Sequence, residues 1–325
     1  MRIAIIGLGH VARFQIAALA GNPDWEIVGA ADLRQESASI LPPHVPFHSS
    51  APDLLEETDA EACLVATGHT AHYRLGKQVL ESGRHLILEK PCCSTLDQFV
   101  QLIDLAERRN RLFVVALHAA YALDLRWFLA RRDALGLGGL TGFQSQFYDP
   151  YIENGQLLEA GRSLGGSWID SGINALSVLA TITPPEHLSV TDAHFARPAV
   201  PGCSDTQASV SISGREAGRD YQGCIETHWA LGLDSKSTRL FFGNTNSEVL
   251  LDHSNECVFI RRQGGEHEAV DLRNGRPRLT NHYTGVFDAA HRMLCSGTTN
   301  LALAMTLHKR LHAAFDFRIG NVHAS

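Results

Sequence analysis

The chain has no C-x-x-C pair, no H-E-x-x-H motif and no apolar run long enough to span a bilayer. Its seven cysteines, an odd number spread over 325 residues, suit free thiols in a reducing compartment better than a disulfide framework. Cys92 and Cys93 are neighbours and do not form a zinc half-site, and the 17 histidines follow no ligand spacing, so no metal is expected. Basic charge is also in short supply. The 28 Lys and Arg stand against 35 Asp and Glu, a formal net charge of -7, which leaves no electrostatic footprint for nucleic acid or an anionic membrane. The opening "MRIAIIGLGH" is too short in apolar residues for a secretion signal, so the expected location is cytoplasmic. Internal repeats and low-complexity linkers are lacking as well.

What is present is a globular composition, 44% hydrophobic and 19% charged. The length exceeds what one core normally organises, and predicts two domains. Residues 1–120 alternate strand and helix patterns. "RIAIIG" is a continuous apolar run, as in a strand buried on both faces of a parallel sheet. Gly7-Leu8-Gly9-His10-Val11-Ala12 follows it as a G-x-G-x-x-A turn opening the periodic segment "VARFQIAALAG", and "WEIVGAAD" ends a second strand at Asp32, twenty residues beyond Ala12. Gly7 permits the tight turn, Gly9 lets backbone approach a pyrophosphate, and Ala12 lets helix pack close to strand. The helix N-terminus offers N–H groups to phosphates. Asp32 suits the ribose hydroxyls of NAD and repels a 2′-phosphate, whereas Arg34 either stacks on adenine or meets that phosphate; the expectation is NAD or NADP, with NAD preferred.

The alternation continues with strands in "ACLVAT", "HLILEKP" and "LFVVALH" and helices in "TAHYRLGKQVLESG" and "TLDQFVQLIDLAERRN". Repeated βαβ units imply right-handed crossovers and a doubly wound parallel sheet. Ligands bind at the carboxyl ends of such strands, where Thr67, Lys90 and His118 fall. His118 either contacts substrate or cofactor or simply lines the sheet end, and His72 either neighbours the nicotinamide ribose or sits on a helix face.

From about Gly139 the periodicity changes. "GFQSQFYD", "LSVTDAHFA", "TQASVSIS", "GCIETHWAL", "TRLFFG" and "SEVLLD" read as strands, with turns at "SGR" (213–215) and "GN" (243–244), and predict a mostly antiparallel sheet. Residues 121–325 are therefore expected to form an α+β substrate-binding and oligomerisation domain, its last helix, "LALAMTLHKRLHAAFDF", packing back on the first domain. Trp229 either stacks on a sugar face or packs on the sheet. In "WIDSGINAL", Asp170 and Asn174 are four residues apart on one helical face, about 5–6 Å between Cβ atoms. They either address one ligand together or serve as a cap and a surface residue.

With "GLGHVA", "EKP" (Glu89 to Pro91) and "GGSWIDSGINAL" in this order, the chain resembles the glucose-fructose oxidoreductase and inositol dehydrogenase (Gfo/Idh/MocA) family over nearly its whole length. That resemblance implies an N-terminal Rossmann domain joined to a domain with an open, mostly antiparallel sheet that often forms a subunit interface, hence a homo-oligomer. It also implies an active-site lysine and aspartate at Lys90 and Asp170; Asn174 stands where the family's histidine is usual. "DSGINALS" is similar to the "DPGINALS" of bacterial L-arabinose and D-galactose 1-dehydrogenases, a branch with a histidine matching His118, an acidic residue near Asp149 and a tryptophan near Trp229, although "LHAA" and "YIEN" depart from it.

Pattern and resemblance together give cofactor contacts from Gly7, Gly9, His10, Val11, Ala12, Asp32, Arg34, Ala66, Thr67, His72, Glu89 and Lys90. Substrate contacts are expected from Lys90, His118, Asp149, Asp170, Asn174 and Trp229. Lys90, Asp170 and Asn174 form the expected catalytic set. A lysine desolvated beside a cationic nicotinamide can accept or relay a hydroxyl proton, Asp170 can pass it on, and Asn174 can hold sugar hydroxyls. The expected reaction is oxidation of an aldopyranose at C1 to a lactone. Oxidation of another ring carbon or a cyclic polyol, and a dinucleotide sensor without turnover, are the alternatives.

Overall fold

Ile, Val and Leu runs that leave no polar face can only be buried on both sides, and in this chain they become the strands of a parallel sheet. The computed structural model describes residues 1–196, 203–243 and 246–320. The first sheet comprises β1 (Arg2–Ile6), β2 (Glu26–Ala31), β3 (Phe47–His48), β4 (Ala62–Val65), β5 (His85–Glu89) and β6 (Phe113–Ala116), with α1 (Ala12–Ala20), α2 (Ala51–Glu57), α3 (His69–Glu81) and α4 (Leu96–Arg108) between them. Its order is β3-β2-β1-β4-β5-β6 and every pairing is parallel. The reversal beside β1 is the switch point at which doubly wound sheets hold ligands. Ser50 and Thr95 cap α2 and α4 by accepting the N–H groups of Asp53 and Gln98.

The second sheet begins after α5 (Leu123–Leu135) with β7 (Leu140–Tyr148). A two-stranded hairpin, β8 (Ile152–Glu153) and β9 (Gln156–Leu157), precedes α6 (Ile173–Ile182). Then come β10 (Ser189–Ala196), β11 (Gln207–Glu216), β12 (Arg219–His228), β13 (Ser235–Phe242), β14 (Ser247–Asp252), β15 (Cys257–Arg261) and β16 (His267–Asp271), before α7 (Arg278–Ser296) and α8 (Leu301–Gly320). The order is β10-β11-β12-β7-β13-β14-β15-β16, antiparallel throughout except for the parallel β12–β7 pair. The expected α/β class, a Rossmann sheet followed by an open, mostly antiparallel sheet, is the class observed. Burial alternates along β11 and β13, the period of a sheet with one covered face.

Two local expectations need correcting. The "SGR" segment is not a turn but lies within β11, and the reversal falls at Ala217 and Gly218, whose φ values of 47° and 79° suit a two-residue hairpin loop. Asn244 of the "GN" turn lies outside the described residues. The chain divides into two compact units, 1–118 with 279–305 and 119–278 with 306–325. The first unit thus recovers α7 and the opening of α8 from the far end of the chain, whereas the rest of α8 groups with the second unit, where the Trp168 indole donates to the Leu311 carbonyl at 2.9 Å. Among the described residues no helix is long and apolar enough to cross a membrane.

Candidate active site

In the first unit the glycine turn is built to approach a ligand closely. Gly7 has φ 102°, and a Cβ there would lie 2.7 Å from the Ala66 carbonyl oxygen, so only glycine lets β1 turn against the end of β4. A Cβ on Gly9 would meet nothing within 4 Å, which leaves its face open where a pyrophosphate approaches. Ala12 is fully buried, as close packing of helix on strand requires. Val11 precedes α1 without a side-chain cap, and His10 is exposed, its ring 3.2 Å from the Arg13 guanidinium; burial and then the Arg13 charge lower its pKa. The Asp32 carboxylate accepts the Leu8 N–H at 2.8 Å with one oxygen and the Arg34 N–H at 2.9 Å with the other. The turn is thereby tied to the end of β2. The residues present fit a dinucleotide: an open glycine, an uncapped helix start and an anchored carboxylate.

Around the end of β5 the sequence expectations and the geometry diverge in an informative way. Glu89 is 5% exposed and accepts the Tyr283 hydroxyl at 2.6 Å and the Gln15 amide at 2.8 Å on one oxygen, and the Lys90 N–H at 3.1 Å on the other. Burial raises its pKa, and the Tyr283 hydroxyl, the Lys90 charge and the remaining donors pull it back only in part. Glu89 therefore shapes the Lys90 backbone from behind. Its carboxylate is committed to Tyr283 and Gln15, two residues that sequence reasoning missed. His118, at the end of β6, lies with its Nδ1 3.3 Å from that of His282, the rings 5.6 Å apart and nearly parallel, and 5.5 Å from the Tyr283 ring. His72 is buried between two carbonyls, with Nδ1 2.8 Å from Pro91 O and Nε2 2.9 Å from Thr67 O. Burial drives its pKa down to about 4, against those carbonyls and with the charges of His69 and Lys90. Its part is to join the Thr67 and Pro91 loops. Ala66 and Thr67 follow the end of β4, the Ala66 N–H bonded to the Ile6 carbonyl at 2.8 Å.

In the second unit "WIDSG" is not an ordinary first helical turn. Trp168–Gly172 is π-helical and runs directly into α6. Such turns are rare and frequent at functional sites. Asp170 is 6% exposed and Asn174 8% exposed; the Asn174 amide donates to the Asp170 carbonyl at 3.3 Å. Asp205 holds the start of the turn, accepting the Trp168 N–H at 2.9 Å and the Ser167 hydroxyl at 2.5 Å. Tyr151 stands in the field of the Asp170, Asp149 and Asp234 carboxylates. Burial first, and those charges next, raise its pKa, so it stays a phenol and a donor. Of the two roles expected of Trp229, the structure has the packed one: the ring is fully buried and lies edge-on to Tyr151 at 5.1 Å. Asp149 is likewise enclosed, paired with Lys236 at 2.7 Å and accepting the Ser171 hydroxyl at 2.7 Å.

Residues 1–117 match the Gfo/Idh/MocA family, described as "Oxidoreductase family, NAD-binding Rossmann fold". An uncharacterized oxidoreductase, YdgJ of Escherichia coli, is 26% identical over 188 residues, 56% of this chain and 53% of that protein. The match thus spans about half the length of this curated relative. Among solved structures, a UDP-N-acetylglucosamine 3-dehydrogenase from Acidithiobacillus ferrooxidans superposes with a TM-score of 0.76 at 18% identity, covering 98% of this chain and 97% of the other. An oxidoreductase from Agrobacterium radiobacter in complex with NAD+, L-tartaric acid and magnesium gives 0.80 at 14% identity, covering 98% and 96%. Likeness at these identities is a likeness of fold.

Proposed function

We propose that this chain, whose residues 1–117 match the Gfo/Idh/MocA oxidoreductase family with its NAD-binding Rossmann fold, is an NAD(P)-dependent sugar dehydrogenase that oxidises C1 of an aldopyranose to the lactone. The observation that carries this reading is the Glu89–Lys90 strand end. A buried carboxylate anchored by Tyr283 and Gln15 fixes the Lys90 backbone, in the same unit as the open glycine turn. A dinucleotide held by the Gly7–Ala12 turn and Asp32 would supply the acceptor for the hydride that leaves the carbinol carbon. Lys90 takes the hydroxyl proton, Asp170 relays it, and Asn174, which cannot titrate, holds sugar hydroxyls. An anomeric hydroxyl is more acidic than an ordinary secondary alcohol, which suits a site where an amide replaces the family's histidine.

The cofactor proposed is NAD ahead of NADP, because the Asp32 carboxylate stands at the end of β2. Half-exposed residues along the uncovered face of β11 and β13 support a homo-oligomer, and seven free thiols support a cytoplasmic location. Purified protein incubated with arabinose, galactose, fucose and xylose and either cofactor tests the reaction; reduced cofactor from at least one sugar is expected, and none from any removes the substrate class. Oxidation at another ring carbon is the second reading, favoured by the fold likeness to a 3-dehydrogenase, and NMR of the product separates the two. If Lys90→Ala leaves turnover intact, the assigned base is wrong; if a cellular role survives that change, the chain is a dinucleotide sensor.

A further inference from the structure

The Asp149 carboxylate is spent inside the protein. One oxygen lies 2.7 Å from Lys236 Nζ and the other accepts the Ser171 hydroxyl at 2.7 Å. Lys236 also donates to the Tyr148 carbonyl at 3.2 Å and pairs with Asp234. Asp149 is 9% exposed, Lys236 8% and Ser171 0%. An ion pair this dry is costly to desolvate and is a poor device for stability alone. Its hydroxyl partner explains where it points. Ser171 follows Asp170 in the π-helical turn Trp168–Gly172, so the pair grips the far end of a turn whose near end is held by Asp205. Lys236 on β13 thus holds Asp149, just past β7, and Asp149 in turn holds the short segment that carries the candidate proton relay.

We propose that Lys236, Asp149 and Ser171 form a positioning chain: Lys236 keeps the Asp149 carboxylate in place, Asp149 fixes Ser171, and the fixed π turn sets the direction of Asp170 and Asn174. Asp149 is then a positioning residue and does not touch the sugar. The idea rests on the proposed sugar oxidation only for its kinetic readout. Ser171→Ala, Asp149→Asn and the double variant test it. Each single change lowers kcat by about ten-fold or more with the sugar KM within about three-fold, the pattern of an interaction felt in the transition state. The double variant is no worse than Asp149→Asn, because both act through one contact. Independently of any substrate, backbone amides of residues 168–174 exchange with solvent about ten-fold faster or more in either variant than in the unaltered protein.

Unchanged exchange at 168–174 overturns the proposal. So does additivity in the double variant, or an unchanged kcat with a raised KM, which would put Asp149 on the sugar itself. If the unaltered protein turns over no sugar, the proposed reaction has failed while the exchange experiment still decides the positioning chain. Should Asp149→Asn not fold, Ser171→Ala, which removes only a hydroxyl, carries both measurements.

Discussion

At the scale of single residues, two buried groups beside Lys90 can be separated by experiment. Tyr283 donates to Glu89 at 2.6 Å in a nearly dry setting, and Tyr283→Phe leaves that carboxylate with one donor fewer. Hydrogen bonds to charged groups contribute about 1.5–3 kcal/mol, so the urea midpoint of Tyr283→Phe should fall by an equivalent amount; an unchanged midpoint would mean the contact is not formed in solution. His72 offers a pH test. Its pKa is depressed to about 4 by burial, below the ordinary 6.5. The unfolded chain therefore binds the proton more readily, and stability present above pH 6.5 is lost as pH falls towards 4. Between those limits the loss is on the order of 3 kcal/mol. His72→Gln keeps a donor for one carbonyl but cannot titrate. Its stability at neutral pH is expected to be lower than that of the unaltered protein, and the gap should narrow on acidification, read as the difference in denaturant midpoints from pH 7 to pH 4. A gap independent of pH would show that folding leaves the pKa of the ring where it is in the unfolded chain.

At the scale of elements, the π turn is the feature with the least slack. A Cβ at Gly172 would lie 2.4 Å from the Trp168 ring, and that ring is fully buried with its N–H held by Leu311. Overpacking of this kind costs about 1–3 kcal/mol. Gly172→Ala should lower the thermal midpoint and, by shifting the turn, the turnover as well; full activity in a stable variant would show that the turn can relax. This turn also marks where the sequence stops being legible. β1, β4, β5 and β6 were readable because strands buried on both faces cannot hide their apolar runs. Glu89 and Lys90 were readable as a motif. The role of Glu89 was not, because its donor Tyr283 comes from 194 residues away on α7. A signal was there. Tyr283, Val286, Phe287, Ala290 and Leu294 keep helical spacing and are buried, and Gly297 with φ 72° follows the last turn. Its polar start, "RLTNHYTG", masked that period. No local pattern could have announced the π turn, which depends on Asp205 and Asp149 reaching it from 37 and 22 residues away.

At the scale of the whole molecule, cofactor choice should be visible as a stability difference without any sugar being known. A ligand that binds only the folded chain stabilises it by about 2.7 kcal/mol at a hundred times its dissociation constant. The Asp32 carboxylate is 12% exposed and the Arg34 guanidinium 61% exposed and only 3.5 Å away, so the negative charge at the end of β2 is fixed while its countercharge is loosely held in solvent. A 2′-phosphate placed there meets the fixed charge first, and NAD should therefore raise the thermal midpoint more than NADP at equal concentration. Asp32 has a second duty, because the same carboxylate ties the Leu8 N–H of the glycine turn at 2.8 Å. Replacing it with alanine would disturb both duties at once. Asp32→Asn keeps the brace on the turn: the amide oxygen still accepts the Leu8 N–H, while the charge and the acceptor for the exposed Arg34 N–H are removed. The expected outcome is a cofactor-free stability lowered by no more than the one exposed Arg34 contact, about 1 kcal/mol, with the NADP-induced shift rising to meet that of NAD. A larger NADP shift in the unaltered protein would instead make Arg34 the group that reads the ribose, with Asp32 serving only to brace the turn.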